Sequence, residues 1–475
     1  MDVLAAFMSL IVLGVGALVL AYCARYFREH EPRNAVFGGQ LLAFAGAMFG
    51  LVTTDDLMVL YTFWEITSVL SFLLIGYSGH RIFARRSAIT ALIVTTFGGL
   101  AMLAGLIMLA HFAGSWRISG VLEAAPALMA DAGLRGLLEV AVALVLIGAL
   151  TKSAQAPFHF WLPAAMAAPT PVSAYLHAAA MVKAGVFLVA RLAPEFHGLA
   201  MWQVLVIGVG LWTLLLGGWR ALRQTDVKLV LAYGTVSQLG FLMVANGLGV
   251  RDAALAGLAM LLAHALFKAP LFMVVGIIDH EAGTRDLREL SGIGRRHPVL
   301  AAVAVLAAAS MAGLPPLFGF VAKEAVLQSL TDHGAAHGGL LAWAPLVLMA
   351  AGSVLTVAYT WRFLWGAFAT KRTPEGAPVP ATRFHTRVTF LELAPAGLLA
   401  LTGLVLAVLP GPLEHLLAAH TATIPALDPA ASPAHLALWH GWTPALAVSA
   451  AVWLLGALLA LGRPGVEAFQ RRVEF

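Results

Sequence analysis

A single cysteine, Cys23, stands among 475 residues. That excludes an intrachain disulfide and any cysteine-ligated cluster. Charge is scarce as well. Asp, Glu, Lys and Arg make up 11% of the chain, against about 25% in a soluble domain. No GxGxxG or Walker sequence occurs, so no nucleotide site and no cofactor are expected. The pI near 9.5 comes without a dense basic cluster interleaved with aromatics, which argues against a nucleic-acid partner. What fills the chain is apolar: 60% of residues are hydrophobic and the mean hydropathy is +0.87. The composition is that of an all-α polytopic membrane protein whose surroundings are a lipid bilayer.

About thirteen segments have spanning length, at 3–22, 35–53, 57–77, 88–112, 137–156, 172–190, 201–217, 227–248, 254–278, 299–317, 343–368, 391–409 and 443–461. The first begins almost at Met1 with no basic n-region or A-x-A site, so a span is expected there and not a signal peptide. The fifth and tenth continue past prolines, to about 168 and 330. Each is then long enough to reach roughly 48 Å at 1.5 Å per residue. That exceeds a hydrocarbon core of about 30 Å, so both must be broken or steeply tilted. The breaks fall near Ala156-Pro157, with Lys152 beside it, and near Leu314-Pro315-Pro316, with Lys323 beside it. An offset of five spans is odd, so two five-helix repeats related this way are inverted, each containing a discontinuous helix, a plan that suits ion transporters. Two unrelated proline kinks are the plainer alternative. The expected divisions are 1–56, N-terminal helices; 57–200, a first half-channel repeat broken near 157; 201–368, a second inverted repeat broken near 315; and 369–475, C-terminal helices.

The basic residues fall into alternate loops. One set holds Arg25, Arg28 and Arg33; Arg81, Arg85 and Arg86; Arg220, Arg223 and Lys228; and further groups at 285–296, 371–387 and 463–472. The other set holds only Arg117, Arg135, Arg191 and Arg251. By the positive-inside rule the rich side is cytoplasmic, with the N-terminus outside and the C-terminus inside. The loops at 113–136, 369–390 and 410–441 are the long ones. The last carries His415, His420, His435 and His440, whose spacing suits no helical ligand pair, so whether a metal binds is left unknown.

Leu150 to Arg191 organises the rest. It is apolar enough for a bilayer, yet carries Lys152, His177 and Lys183 and prolines at 157, 163, 169 and 171. A lysine at the centre of a membrane helix costs roughly 2.5–3.5 kcal/mol on insertion scales. Freed backbone groups survive at that depth only inside protein or beside a water-filled cavity. A broken helix among buried lysines therefore reads as an ion path. Glu65, inside LMVLYTFWEITSVLSFLLIG, either pairs with a lysine or exchanges a proton. Placed near Glu65, Lys152 would be a charge-switchable carrier. His177 and Lys183 are six residues apart, on different sides of one helix, each able to border a hydrated path. His264 and Lys268 are four apart and share a face. A histidine there suits a relay. Lys323 and Glu324 follow the second break and point about 100° apart, which leaves Glu324 free to face solvent or a partner subunit. Arg362 is expected to snorkel. This buried set is mostly cationic, so it suits protons better than sodium, which wants oxygen ligands.

KSAQAPFHFWLPAAMAAPTPVSAYLHAAAMVKAG, from Lys152 to Gly185, resembles the core motif of the antiporter-like proton-translocating membrane subunits. That family serves respiratory complex I, the membrane-bound hydrogenases and the Mrp sodium/proton antiporters, and the resemblance covers essentially the whole chain. It implies roles in proton translocation for Glu65 in Trp64-Glu65, Lys152 in K-S-A-Q, the His264–Lys268 pair and Lys323. Asp226-Val-Lys228, Ala232-Tyr233 and Ser237-Gln238 are similar to a further family stretch, with Leu229 where arginine is usual and Gly234 where serine is usual. Asp279 to Asp286, DHEAGTRD, resembles the branch formed by the A-type subunits of the Mrp antiporters, as does Lys183 in HAAAMVKAG. The family normally has two more helices before Asp2, and the A-type branch normally continues past Phe475. The resemblance implies the proton-translocating core subunit of a multisubunit Na+/H+ antiporter, a secondary transporter and not an enzyme. It would move protons, exchange sodium, assemble with other subunits and sit in a bacterial inner membrane. The alternatives are a proton-pumping subunit of complex I or a hydrogenase, and a membrane subunit for inorganic-carbon uptake.

Overall fold

The computed structural model describes residues 2–27, 34–373, 375–428 and 434–472. Arg28 and Arg33, counted in the basic loops above, lie outside the described residues. The described chain is helical apart from its connections. Its main helices are α1 (Val3–Tyr26), α2 (Asn34–Thr53), α3 (Leu57–Ile75), α4 (Ile82–Ala113), α5 (Ile118–Ala130), α6 (Arg135–Lys152), α7 (Thr170–Leu176), α8 (Lys183–Phe196) and α9 (Ala200–Ala221). Then follow α10 (Val227–Gly247), α11 (Arg251–Ala282), α12 (Pro298–Ala312), α13 (Phe318–His337), α14 (Gly339–Phe368), α15 (Phe390–Val408), α16 (Gly411–Thr421) and α17 (Pro444–Leu461).

Among the described residues ten helices are long and apolar enough to cross a membrane: α1 to α4, α9, α10, α11, α14, α15 and α17. The three other expected spans differ for identifiable reasons. In the fifth, α6 carries Arg135, Glu139 and Lys152, stops at Lys152, and continues only as short helical turns through Ala167. The tenth is cut into α12 and α13 by Gly313 to Leu317. The sixth is cut as well, into α7 and α8, which the even apolar run around Ala178-Ala179-Ala180 did not foretell. Two of the long connections also hold helices, α5 within 113–136 and α16 within 410–441.

The core lies around α10 and α11. In their most apolar windows 89% and 94% of the residues are buried, against 22% for α17. Apolar residues all round a helix place it inside a bundle, where no polar face is needed. Around α11 pack α7, α10, α12, α13 and α15. Exposed leucines and valines concentrate on the outer helices.

One local pattern occurs twice. Asp56 caps α3, its Oδ1 accepting from the Met58 and Val59 N–H groups at 2.9 Å each. Leu57 N–H donates to Trp116 O at 2.9 Å and Ile118 N–H to Asp55 O at 2.7 Å. Asp226 caps α10 in the same way, accepting from Lys228 N–H at 2.8 Å and Leu229 N–H at 3.3 Å. Val227 N–H donates to Arg285 O at 2.9 Å and Leu287 N–H to Thr225 O at 2.7 Å. Between the two halves of each clip runs a 32-residue helix, α4 or α11. Each ends at a glycine in the left-handed region, Gly114 at φ 63° and Gly283 at φ 69°, where a Cβ is unfavourable.

Candidate functional site: a line of buried lysines and histidines

The helix breaks are built so that few backbone groups are left bare. In the first, Gln155 N–H reaches back to Leu150 O at 2.9 Å. The Trp161 indole donates to Thr151 O at 2.9 Å. Thr213 Oγ1 accepts from Ala156 N–H at 2.9 Å. Ala154 sits at φ 50°, a conformation that costs an L-residue roughly 1–2 kcal/mol and is held by these bonds. In the second break the Trp453 indole donates to Gly313 O at 3.1 Å, and Ser310 Oγ accepts from Gly319 N–H at 3.1 Å. The break between α7 and α8 is tied to the first by Ser153 Oγ, which donates to Val182 O at 2.7 Å. Irregular backbone at membrane depth is tolerable under those conditions.

Five lysines are buried along this scaffold: Lys152, Lys183, Lys228, Lys268 and Lys323. Each Nζ donates to a main-chain carbonyl of another segment or turn. Lys152 reaches Trp64 O at 2.6 Å and Thr67 Oγ1 at 2.7 Å. Lys183 reaches Leu261 O at 2.8 Å. Lys228 reaches Ala168 O at 2.7 Å, Lys268 reaches Leu231 O at 3.2 Å, and Lys323 reaches Ala312 O at 2.7 Å. A carbonyl orients an ammonium without neutralising it. An ammonium has three donors, so donor capacity remains for water or a proton acceptor. Lys152 closes α6 and Lys183 opens α8. The helix field favours a cation at the first position and opposes one at the second.

The carboxylates stand beside this line, not across it. Glu65 Oε2 accepts from Thr96 Oγ1 at 3.4 Å, and Oε1 has no hydrogen-bond partner. Gly99 makes the room: a Cβ there would stand 1.9 Å from Glu65 Oε1. The expected Glu65–Lys152 neighbourhood is present, since the two groups interact electrostatically, but Lys152 is hydrogen-bonded to Trp64 and Thr67 and not to the Glu65 carboxylate. Glu324 does not face solvent. It is buried, with Oε2 accepting from Ser449 Oγ at 2.6 Å and Oε1 from Thr443 Oγ1 at 3.4 Å.

His177 and His264 are fully buried, and none of their ring nitrogens has a hydrogen-bond partner of ordinary geometry. Lys183 and Lys268 act on His264 from either side. His177 caps α7 while Lys183 starts α8, so the turn angle of one continuous helix does not relate them. Lys228 was missed as a buried group. The sequence puts it in a basic loop, whereas its helix begins one residue earlier and carries it inward. The D-x-K motif held the signal, because the capping aspartate fixes where α10 starts. Arg362 is also buried, its Nε donating to Gln224 O at 2.9 Å. No group of three or more His, Cys, Asp or Glu able to hold a metal occurs among the described residues.

The motif Asp279 to Asp286 lies at the end of α11. Arg285 pairs with Asp226 at 3.1 Å and more loosely with Asp279 at 3.9 Å. Glu281 accepts from the Thr386 N–H and hydroxyl at 2.7 Å each. Two hydrogen bonds from Arg288 at 3.0 Å and one at 2.5 Å hold the Asp286 carboxyl below the usual range.

An all-helical bundle with interrupted helices and buried lysines and histidines defines a polytopic membrane protein. Residues 54–351 match the family described as NADH:quinone oxidoreductase/Mrp antiporter, TM, and the chain belongs to that family. It is 43% identical over 453 residues to the A/B subunit of a probable K(+)/H(+) antiporter from Rhizobium meliloti (strain 1021), covering 94% of this chain and 44% of that one. It is 40% identical over 481 residues to the A-type subunit of the Na(+)/H(+) antiporter of Alkalihalophilus pseudofirmus, covering 97% and 59%. The chain thus spans about half the length of the curated relatives it matches. A chain in the solved Mrp complex from Dietzia sp. DQ12-45-1b superposes with a TM-score of 0.88 at 39% identity, over 99% of this chain and 49% of that one. An archaeal membrane-bound sulfane sulfur reductase chain shares the fold, with a TM-score of 0.76 at 23% identity over 90% and 83%.

Proposed function

We propose that this chain is the proton-translocating part of the A-type subunit in a multisubunit Mrp-type Na+/H+ antiporter of a bacterial inner membrane. The observation that carries the reading is the line itself. Lys152, Lys183, Lys268 and Lys323, with His177 and His264 among them, are buried without a carboxylate in contact with any of the four ammonium groups. Ionisable residues at membrane depth are rare, pair with one another or with backbone carbonyls, and mark ion pathways. These are parked on carbonyls, from which they can swing to hand on a proton. Glu65 acts electrostatically on Lys152, and Glu324 on Lys323. Likeness to named antiporter subunits supports the same reading.

The repeated clip, at α3 and again five crossings later at α10, supports two inverted repeats within 57–368, each with a discontinuous helix, preceded by 1–56 and followed by 369–475. Counting the three interrupted segments gives thirteen crossings. The basic loops then lie in the cytoplasm, the N-terminus outside and the C-terminus inside. Exchange of potassium in place of sodium is the second reading. It is favoured by the description of the Rhizobium meliloti relative as a probable K(+)/H(+) antiporter.

The test is Lys152→Ala in the assembled complex. Cation-dependent proton movement in everted vesicles is expected to fall by more than about tenfold, at least 1.4 kcal/mol of barrier, with complex yield retained. Undiminished transport would sink the proposal. Running the unaltered complex with sodium and with potassium separates the two readings.

A further inference from the structure

Lys228, buried like the other four lysines, lies against open space. It borders a cavity of about 450 Å³ whose wall also includes His80, Arg81, Asp279, His280 and Arg285. That volume holds on the order of ten waters at about 30 Å³ each. A second cavity of about 450 Å³ lies beside it, and both open towards the loop surface. Arg81, Asp279 and Arg285 border both. The shared wall is therefore an ionic one. Arg285 spans it, gripping Asp226 at 3.1 Å and lying 3.9 Å from Asp279. Asp226 is committed twice: Oδ1 caps α10 directly above Lys228, and Oδ2 holds Arg285. The backbone clip between 225–227 and 285–287 keeps these side chains opposed. Below, the Lys228 ammonium points inward to Ala168 O. Lys228 is also the charged group that acts on His177.

We propose that the two cavities form a water-filled access site by which protons reach Lys228 from the membrane face carrying the 76–81 and 283–292 connections, and that Arg285, clamped by Asp226 and Asp279, is its gate. A partly exposed ion pair is weak enough to open thermally. When it does, the two cavities join and the water path to the Lys228 amine widens. Lys228 takes a proton from hydronium and becomes the ammonium. It returns to the amine when a lone pair on a His177 ring nitrogen accepts that proton, directly or through one water. The DHEAGTRD motif thereby acquires a task, since Asp279 and Arg285 are two of its members. Arg81, His80 and His280 line the same wall and set the field an approaching cation meets.

The inference rests on the proton-translocation reading, and its test does not depend on transport. Lys228→Cys and Lys268→Cys are made with Cys23→Ser, and the assembled complex in sealed vesicles is treated with a small cationic methanethiosulfonate from each face. Lys268 borders neither cavity. Lys228→Cys should react at least about tenfold faster than Lys268→Cys, a difference of about 1.4 kcal/mol in barrier, from one face only. Adding Arg285→Gln should raise its rate further. Equal rates at the two positions, or a rate indifferent to Arg285→Gln, would overturn the gated access site. If Lys228→Cys does not assemble, Ala168→Cys in the same cavity wall reports the same access. Proton flux of the unaltered complex is scored separately, so absent flux counts against the transport reading and an unreactive thiol against the access site.

Discussion

Lys152 donates to the Trp64 carbonyl at 2.6 Å, one residue away from Glu65. The acceptor sits on the same helix as the carboxylate, and Glu65 is held only through Oε2, by Thr96 at 3.4 Å, its Oε1 being unpartnered. The proton-carrier role proposed for Lys152 needs a resting place that costs little to leave. A carbonyl and the Thr67 hydroxyl provide one, because neither locks the lysine into a charged pair.

The room around Glu65 is made by one missing methyl group. A Cβ at position 99 would overlap Glu65 Oε1 at 1.9 Å, so Gly99→Ala must push the carboxylate from its place. Overpacking of this kind costs about 1–3 kcal/mol. Proton flux is expected to fall several-fold in everted vesicles, with the complex still recovered. Gly46→Ala is the control, since nothing lies within 4 Å of its added Cβ; it should leave flux unchanged. Equal behaviour of the two variants would show that the position of Glu65 does not matter. On α10, Gly234 likewise leaves space for the Lys268 ammonium, 3.1 Å from a would-be Cβ.

Orientation can be read with two thiols. Arg288 is well exposed and lies in a basic connection, and Ala422 is exposed beyond α16. With Cys23 replaced, an impermeant maleimide added to intact cells should label Ala422→Cys. Arg288→Cys should react only after permeabilisation. Leu290, close by, is buried and unsuited to the purpose. Labelling in the opposite pattern would reverse the topology drawn from the basic loops.

Helix positions were legible because membrane burial is a local property. The limits of α2, α10, α15 and α17 fall within a residue or so of the apolar segments. The proline-marked breaks after Lys152 and Ala312 were legible for the same reason. The break between His177 and Lys183 was not. It is sustained by a long-range bond, Ser153 Oγ to Val182 O, and no residue between them announces it. Partners chosen across the fold were equally hidden. Glu324 finds Ser449 and Thr443 on and before α17, more than a hundred residues on. Lys228 turned out to be buried because the Asp226 cap holds it in the first turn of α10 and its ammonium reaches inward to Ala168 O, a partner distant in sequence.

The last prediction concerns coupling between Glu65 and Lys152. Lys152 is hydrogen-bonded beside Glu65 and acts on it electrostatically. A rotation of either side chain would convert that arrangement into a direct pair. Removing one partner strands the other. A buried charge left this way costs about 3–5 kcal/mol, unless the group gives up its charge. Glu65→Gln should therefore leave Lys152 in one protonation state and stop turnover. Lys152→Gln should do the same from the other side. The double variant carries neither charge, so complex yield should recover if either single change lowers it. Flux should stay as low as in the worse single variant, because no titratable carrier remains at the first break. Scored as a double-mutant cycle, flux should show an interaction term of at least about 0.5 kcal/mol, the size expected of residues in contact or in one network. Single losses in flux that add as free energies, with no such term, would mean that Lys152 delivers its proton without Glu65. The carbonyl of Trp64 would then be an anchor and not a resting place.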